Sequence, residues 1–138
     1  MTCQTGESLP PFEKTFHSYD LMAYGAATWD WYDVHYDRQA TERQGLPAPF
    51  VDGQHLGALF AKQLRDHFGP QAFLAEMDLR FHSLVHAGDH IRAEAEIIEA
   101  PTPQTRRVLQ SMSCAGRRVA SATSVVALHF PPLDGEQA

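Results

Sequence analysis

Asp30, Asp33, His35 and Asp37 place three carboxylates and an imidazole within eight residues, in the stretch TWDWYDVHYD. A carboxylate and an imidazole aimed at one point can hold a water and move its protons. Their unperturbed pKa values, roughly 3.9 and 6.5, can be tuned by burial and mutual contact into a base and an acid. Both tryptophans and two of the four tyrosines fall in the same stretch. Such rings lower the local dielectric and make those pKa values tunable. The same composition also suits a turn whose side chains bond their own backbone. Asp30 and His35, five apart, are the pair that an irregular segment can point into one cavity.

Two more residues bear on that chemistry. Gly53 stands where a helical pattern begins, so a ligand can approach its backbone closely, and the free N–H groups and positive dipole end there favour a developing negative oxygen. Asp52, just before it, reads most simply as the helix N-cap. Arg80, Arg106, Arg107, Arg117 and Arg118 read as solubilising rather than ligand-binding. Cys114, on a strand with no adjacent base, reads as a core residue.

The totals set the frame. A chain of 138 residues fits one core. The net charge of −6 argues against nucleic acid as a partner. Cys3 and Cys114 give no C-x-x-C spacing, so a disulfide framework is not expected and a reducing, cytoplasmic setting is. No apolar run is long enough to span a membrane, and the eight histidines show no metal-ligand spacing, so neither membrane nor metal is expected.

The elements that must position these groups follow from periodicity. Residues 1–11, with Gly6, Pro10 and Pro11, read as a flexible lead-in. Phe12 to His17 suits a short edge strand. Ser18 can cap a helix with Asp20 in its first turn, and Gly25 predicts that this helix is short. Ala40 to Arg43 suits one helical turn, followed by a Gly/Pro loop to Pro49.

From Gly53 to Phe68, Leu56, Leu59, Phe60, Leu64 and Phe68 fall at helical spacing, with Gly57, Ala58 and Ala61 between them. Such a helix wants something wrapped around it, and Gly69-Pro70 ends it. Strands follow at Glu76–His82, Ile91–Ile97, Arg107–Cys114 and Arg118–Phe130, the first two with clean two-residue alternation. Pro131-Pro132 opens a C-terminal tail, 131–138. The fold class is α+β: an antiparallel sheet curled around one long helix, in a single domain over 12–130.

As a set, these residues resemble the MaoC-like dehydratases, the hot-dog-fold (R)-specific 2-enoyl-CoA hydratases. The resemblance runs from Ser18 to Phe130. It rests on D-x-x-x-x-H at Asp30 and His35, on Gly53 opening the long helix, and on Arg80-Phe81, Val85 and Gly88-Asp89. Against the motif D-x-N-P-x-H, Tyr32 and Asp33 replace asparagine and proline. Against H-G-M, the chain reads Asp52-Gly53-Gln54, and Leu84 and Ala87 replace two usual prolines. The variant D-x-x-D-V-H-x-D-R, ending at Arg38, looks closer to the small catalytic subunit of two-chain hydratases of steroid side-chain CoA esters.

The resemblance implies a reversible hydratase or dehydratase of trans-2-enoyl thioesters, with coenzyme A or an acyl carrier protein in the substrate and no other cofactor. It implies catalytic roles for Asp30, His35 and the Gly53 N–H, and substrate-binding positions at Trp31, Tyr32, Asp52 and Gln54. It implies a homodimer or higher oligomer, or a pairing with a second hot-dog chain. Two alternatives stay open: an acyl-CoA thioesterase of the same fold, to which Asp52 is relevant, and a non-catalytic acyl-binding subunit of a heteromeric hydratase.

Overall fold

A computed structural model describes residues 4–129. Cys3, Phe130 and the Pro131-Pro132 tail lie outside them. Five strands form one antiparallel sheet: β1 (Ser8–Thr15), β2 (Phe73–Phe81), β3 (His90–Thr102), β4 (Thr105–Cys114) and β5 (Arg117–Ala127). The order across the sheet is β1-β3-β4-β5-β2. Three helices precede β2: α1 (Ser18–Thr28), α2 (Arg38–Arg43) and α3 (Gly53–Phe68), with a 3-10 turn at Asp33–His35. This is the expected α+β hot-dog arrangement.

α3 packs against β1, β2 and β5. Because β1 and β2 are the two opposite edges, one helix can touch both only if the sheet curves around it. Leu56, Phe60 and Leu64 face that concavity and are almost wholly buried, against Phe16, Ile91, Met112, Ala120 and Ala122 in one cluster and Ile97, Val108 and Val126 in another. Gly57 lets Leu79 pack close to the helix, since a Cβ there would sit 2.8 Å from Leu79 Cδ2 and that side chain would have to shift. The helix is not enclosed on every side as its composition suggests: Gln54, Ala58, Lys62 and Arg65 stay exposed.

Gln63, Gln110 and Ser124, buried polar residues of this core, are paired with one another and with the backbone. The Gln110 amide donates to the Phe60 carbonyl at 3.0 Å and to Gln63 Oε1 at 2.9 Å, and the Ser124 hydroxyl donates to Gln110 Oε1 at 3.3 Å. An unpaired amide here would carry its full desolvation cost, so the chain of bonds fixes how α3 sits on β4 and β5.

Several boundaries differ from the sequence expectation. β1 begins at Ser8, not Phe12, and Leu9 is buried, so residues 8–11 belong to the sheet rather than to a lead-in. Pro10 and Pro11 fall at a register shift between Leu9 and Phe12 on an edge strand, where missing amide donors are tolerated. α1 runs to eleven residues, and its cap is His17 rather than Ser18: the His17 N–H donates to Asp20 Oδ2 at 2.8 Å. β3 extends through Pro101 to Thr102, which leaves Pro103-Gln104 as the turn. Arg106, expected at the surface, is buried at that hairpin and donates to the Thr102, Pro103 and Thr105 carbonyls. Cys114 is buried, as expected, and burial pushes its thiol pKa up.

Candidate active site

α1 ends at Trp29, whose left-handed backbone (φ 59°) turns the chain back on the helix. The Asp30 N–H then donates to the Gly25 carbonyl at 3.0 Å. Asp30 Oδ1 accepts from the Tyr32 N–H at 3.1 Å, so one carboxylate oxygen shapes the turn and the other is left for the site. The 3-10 turn follows and buries Val34 and His35. Asp33 and Asp37 serve the local backbone. The Asp33 carbonyl accepts from Tyr36 and Asp37, and Asp37 Oδ1 caps α2 by accepting from the Gln39 N–H.

His35 is only 9% exposed. Its Nδ1 lies 2.8 Å from the Phe50 carbonyl oxygen. A carbonyl can only accept, so Nδ1 carries a proton, and in the neutral ring Nε2 then keeps the lone pair. The rings of Tyr32 and Phe50 meet the imidazole edge-on, at 5.6 and 5.0 Å between centroids.

The same Phe50 ties this loop to α3. Its N–H donates to the Val34 carbonyl at 3.2 Å, and the next amide, Val51, donates to the Val85 carbonyl at 2.7 Å. Asp52 comes next and caps α3, its Oδ1 accepting from Gln54 N–H at 2.9 Å. The Gly53 N–H lies in the first turn and has no intrahelical partner.

Asp30, His35 and Asp52 each offer one polar atom, and these lie within 4.8 Å of one another. Two carboxylates and an imidazole so placed can bind a water and exchange protons with it. The same donor set can also ligate a divalent cation, and no local sequence spacing signals it because Asp52 arrives from a separate element. Beside Asp52 opens a pocket of 640 Å³ between the start of α3 and the end of β2. Gly53, Gln54, Leu79 and Phe81 line it. A Cβ on Gly53 would sit 2.6 Å from the Phe81 ring, so the glycine allows that ring to cover the helix start.

Of the residues read from sequence, the fold therefore brings Asp30, His35 and Asp52 together, and sets Gly53 and Gln54 on the pocket wall. Tyr32 packs on His35 instead of lining that pocket. Trp31 belongs to an exposed aromatic row, edge-on to Trp29 at 5.8 Å and to Tyr36 at 6.2 Å, and its carbonyl accepts from the Tyr36 hydroxyl.

Two neighbours have no sequence signal. Tyr24 stacks on His55 at 4.2 Å with 3° between the planes. Burial raises the Tyr24 pKa, and the charges of Asp52 and Asp30 push the same way. His55 Nδ1 is buried with no hydrogen-bond partner among the described residues. Burial, helped by Lys14, lowers the His55 pKa, against the opposing charges of Asp20 and Asp52.

Residues 4–113 match the family model of the MaoC like domain. The chain belongs to the MaoC-like family. This MaoC-like domain is also 31% identical over 78 residues to a mitochondrial 3-hydroxyacyl-[acyl-carrier-protein] dehydratase of Arabidopsis thaliana. That match covers 56% of the chain and 46% of the relative, so the chain spans less than half the length of this curated protein. Among solved structures, the fold is shared with the ChsH1-ChsH2 complex from Mycobacterium tuberculosis: TM-score 0.86, 22% identity, over 90% of this chain and 97% of that one. It is shared equally with the (R)-hydratase of A. caviae involved in PHA biosynthesis: TM-score 0.84, 21% identity, over 90% and 96%.

Proposed function

We propose that this MaoC-like domain is an enoyl-CoA hydratase and 3-hydroxyacyl-CoA dehydratase, adding water reversibly to a trans-2-enoyl thioester. The observation that carries the reading is the meeting of Asp30 and His35 within 4.8 Å, with His35 Nε2 left as an acceptor by the Phe50 carbonyl. The hydratase and dehydratase relatives support it.

In hydration, water binds between the Asp30 carboxylate and His35 Nε2. Its oxygen bonds to the β-carbon as one of the pair takes the proton it releases. A proton passes from the pair to the α-carbon, so the two groups end as they began. Charge builds on the thioester oxygen during the step, and in this reading the Gly53 N–H at the positive end of α3 receives it. Losing such a donor costs on the order of 10²–10³ in rate. The apolar pocket walls, Leu79 and Phe81, suit the acyl chain. One fold neighbour is named as a two-chain complex, and association with a second hot-dog chain is part of the reading.

Thioester hydrolysis is a second reading, carried by Asp52 within the same cluster. Following loss of the enoyl absorbance of a trans-2-enoyl-CoA tests the first reading. Following free thiol from a saturated acyl-CoA tests the second. Thiol release without hydration replaces the first reading with the second.

A further inference from the structure

Asp30, His35 and Asp52 reach one point from three directions: the turn after α1, the 3-10 turn, and the residue that opens α3. Each side chain is anchored to backbone by one polar atom. Asp30 Oδ1 accepts from the Tyr32 N–H at 3.1 Å, and Asp52 Oδ1 accepts from the Gln54 N–H at 2.9 Å. His35 Nδ1 donates to the Phe50 carbonyl at 2.8 Å. A second oxygen on each aspartate and Nε2 of the neutral imidazole are left for a common ligand.

We propose that these three side chains form a binding site for one divalent cation of the zinc class. The donor set selects the ion. One imidazole nitrogen with two carboxylate oxygens suits zinc and its first-row neighbours, whereas magnesium and calcium take oxygen ligands alone. The spacing fits as well. A tetrahedral zinc with bonds of about 2.0–2.2 Å holds its ligands about 3.3–3.6 Å apart. The three atoms lie within 4.8 Å of one another, so side-chain rotations of about 1 Å close them on the ion.

Two observations outside that spacing point to a cation. Among the described residues no lysine or arginine pairs with Asp30 or Asp52, so two neighbouring carboxylates have no counter-charge. His35 is 9% exposed, and its Nε2 has no hydrogen-bond partner among the described residues. A metal-bound histidine characteristically donates its other ring N–H to a carbonyl or carboxylate, which fixes the tautomer and aims the ligating nitrogen. His35 and Phe50 already stand in that relation, and the rings of Tyr32 and Phe50 hold the imidazole edge-on. The pocket beside Asp52 gives the ion a way in and leaves room for water on its open positions.

A bound ion takes the place of the water that hydration needs, so loading should stop hydration. That consequence rests on the hydratase reading, while binding of the ion does not. The test uses the full chain in a Cys3→Ser background, which removes a competing thiol, stripped of metal with a chelator. Calorimetric titration with Zn²⁺ should show one equivalent bound per chain. Titration with Co²⁺ should give visible absorbance that Zn²⁺ displaces. Asp52→Asn and His35→Gln should each weaken Zn²⁺ binding at least about 100-fold, since even the outer partners of a metal ligand are worth about 10–100-fold. Circular dichroism confirms that both variants are folded. Hydration of a trans-2-enoyl-CoA by the stripped parent should be lost on adding one equivalent of Zn²⁺ and return with chelator. A parent that binds neither ion, or folded variants that bind as the parent does, overturns the proposal. Hydration that survives zinc binding also overturns it, because the ion then sits elsewhere. A stripped chain that binds zinc through Asp52 and His35 but hydrates no enoyl-CoA upholds the site and overturns the hydratase reading instead.

Discussion

The Asp30 carbonyl oxygen lies 2.7 Å from the point where a Cβ on Gly25 would stand, and the Asp30 N–H donates to the Gly25 carbonyl at 3.0 Å. Gly25 thus costs α1 some helical propensity and in return lets the chain fold back tightly enough to place Asp30. An exposed Gly→Ala change inside a helix ordinarily stabilises by about 1 kcal/mol. Here the obstacle is backbone, which cannot swing away. Gly25→Ala should destabilise by about 1–3 kcal/mol and lower hydration activity by displacing Asp30. Urea denaturation together with the enoyl-CoA assay measures both, and a stabilised, fully active variant would contradict this.

Asp30→Asn and His35→Ala should each lower hydration by at least about 10²-fold while circular dichroism stays native. His35→Ala should also lose about 1 kcal/mol, since the part-buried Phe50 carbonyl loses its side-chain donor. Near-parental rates in both variants would remove the pair from the mechanism.

Asp52 has two duties that different substitutions separate. Asparagine keeps the acceptor for the Gln54 N–H but removes the charge beside Asp30 and His35. Alanine removes both and should cost about 1 kcal/mol of stability. Asp52→Asn should therefore keep parental stability and change the hydration rate, which urea denaturation and the enoyl-CoA assay separate. An unchanged rate would make Asp52 a cap alone.

Gly53→Ala drives a methyl into the Phe81 ring, and that exposed ring can swing aside. The variant should fold with little loss of stability. Its turnover should drop and its KM rise, because the pocket wall beside the helix start has moved. Pairing it with Phe81→Ala should recover the folding cost but not the lost wall, a split that steady-state kinetics resolves.

His55 gives the fold a pH dependence with a definite sign. Its pKa is lowered in the folded state from the ordinary 6.5. Above 6.5 the ring is neutral folded or unfolded, and stability is unaffected. As pH falls below 6.5 the unfolded chain takes up the proton first, so stability is lost toward the folded-state pKa. His55→Phe keeps the stack on Tyr24 and removes the orphan Nδ1. Thermal melts at about pH 7.5 and about pH 5.5 should differ less in this variant than in the parent.

Local patterns in the chain determined much of this protein. The alternation at Ile91–Ile97 and the apolar spacing of α3 state their elements directly, because side-chain direction repeats with backbone geometry. Asp30 and His35 could be paired from spacing and residue type, and Asp52 could be read as a cap. Only the tertiary structure decided that Asp52 joins them, that the Phe50 carbonyl sets the His35 tautomer, and that Phe81 closes over Gly53. Each of those contacts joins residues from separate elements. Their meeting depends on how the sheet curves around α3 and on where Val51 and Val85 pin the loops together. Those are properties of packing and register, which no local run of residues encodes.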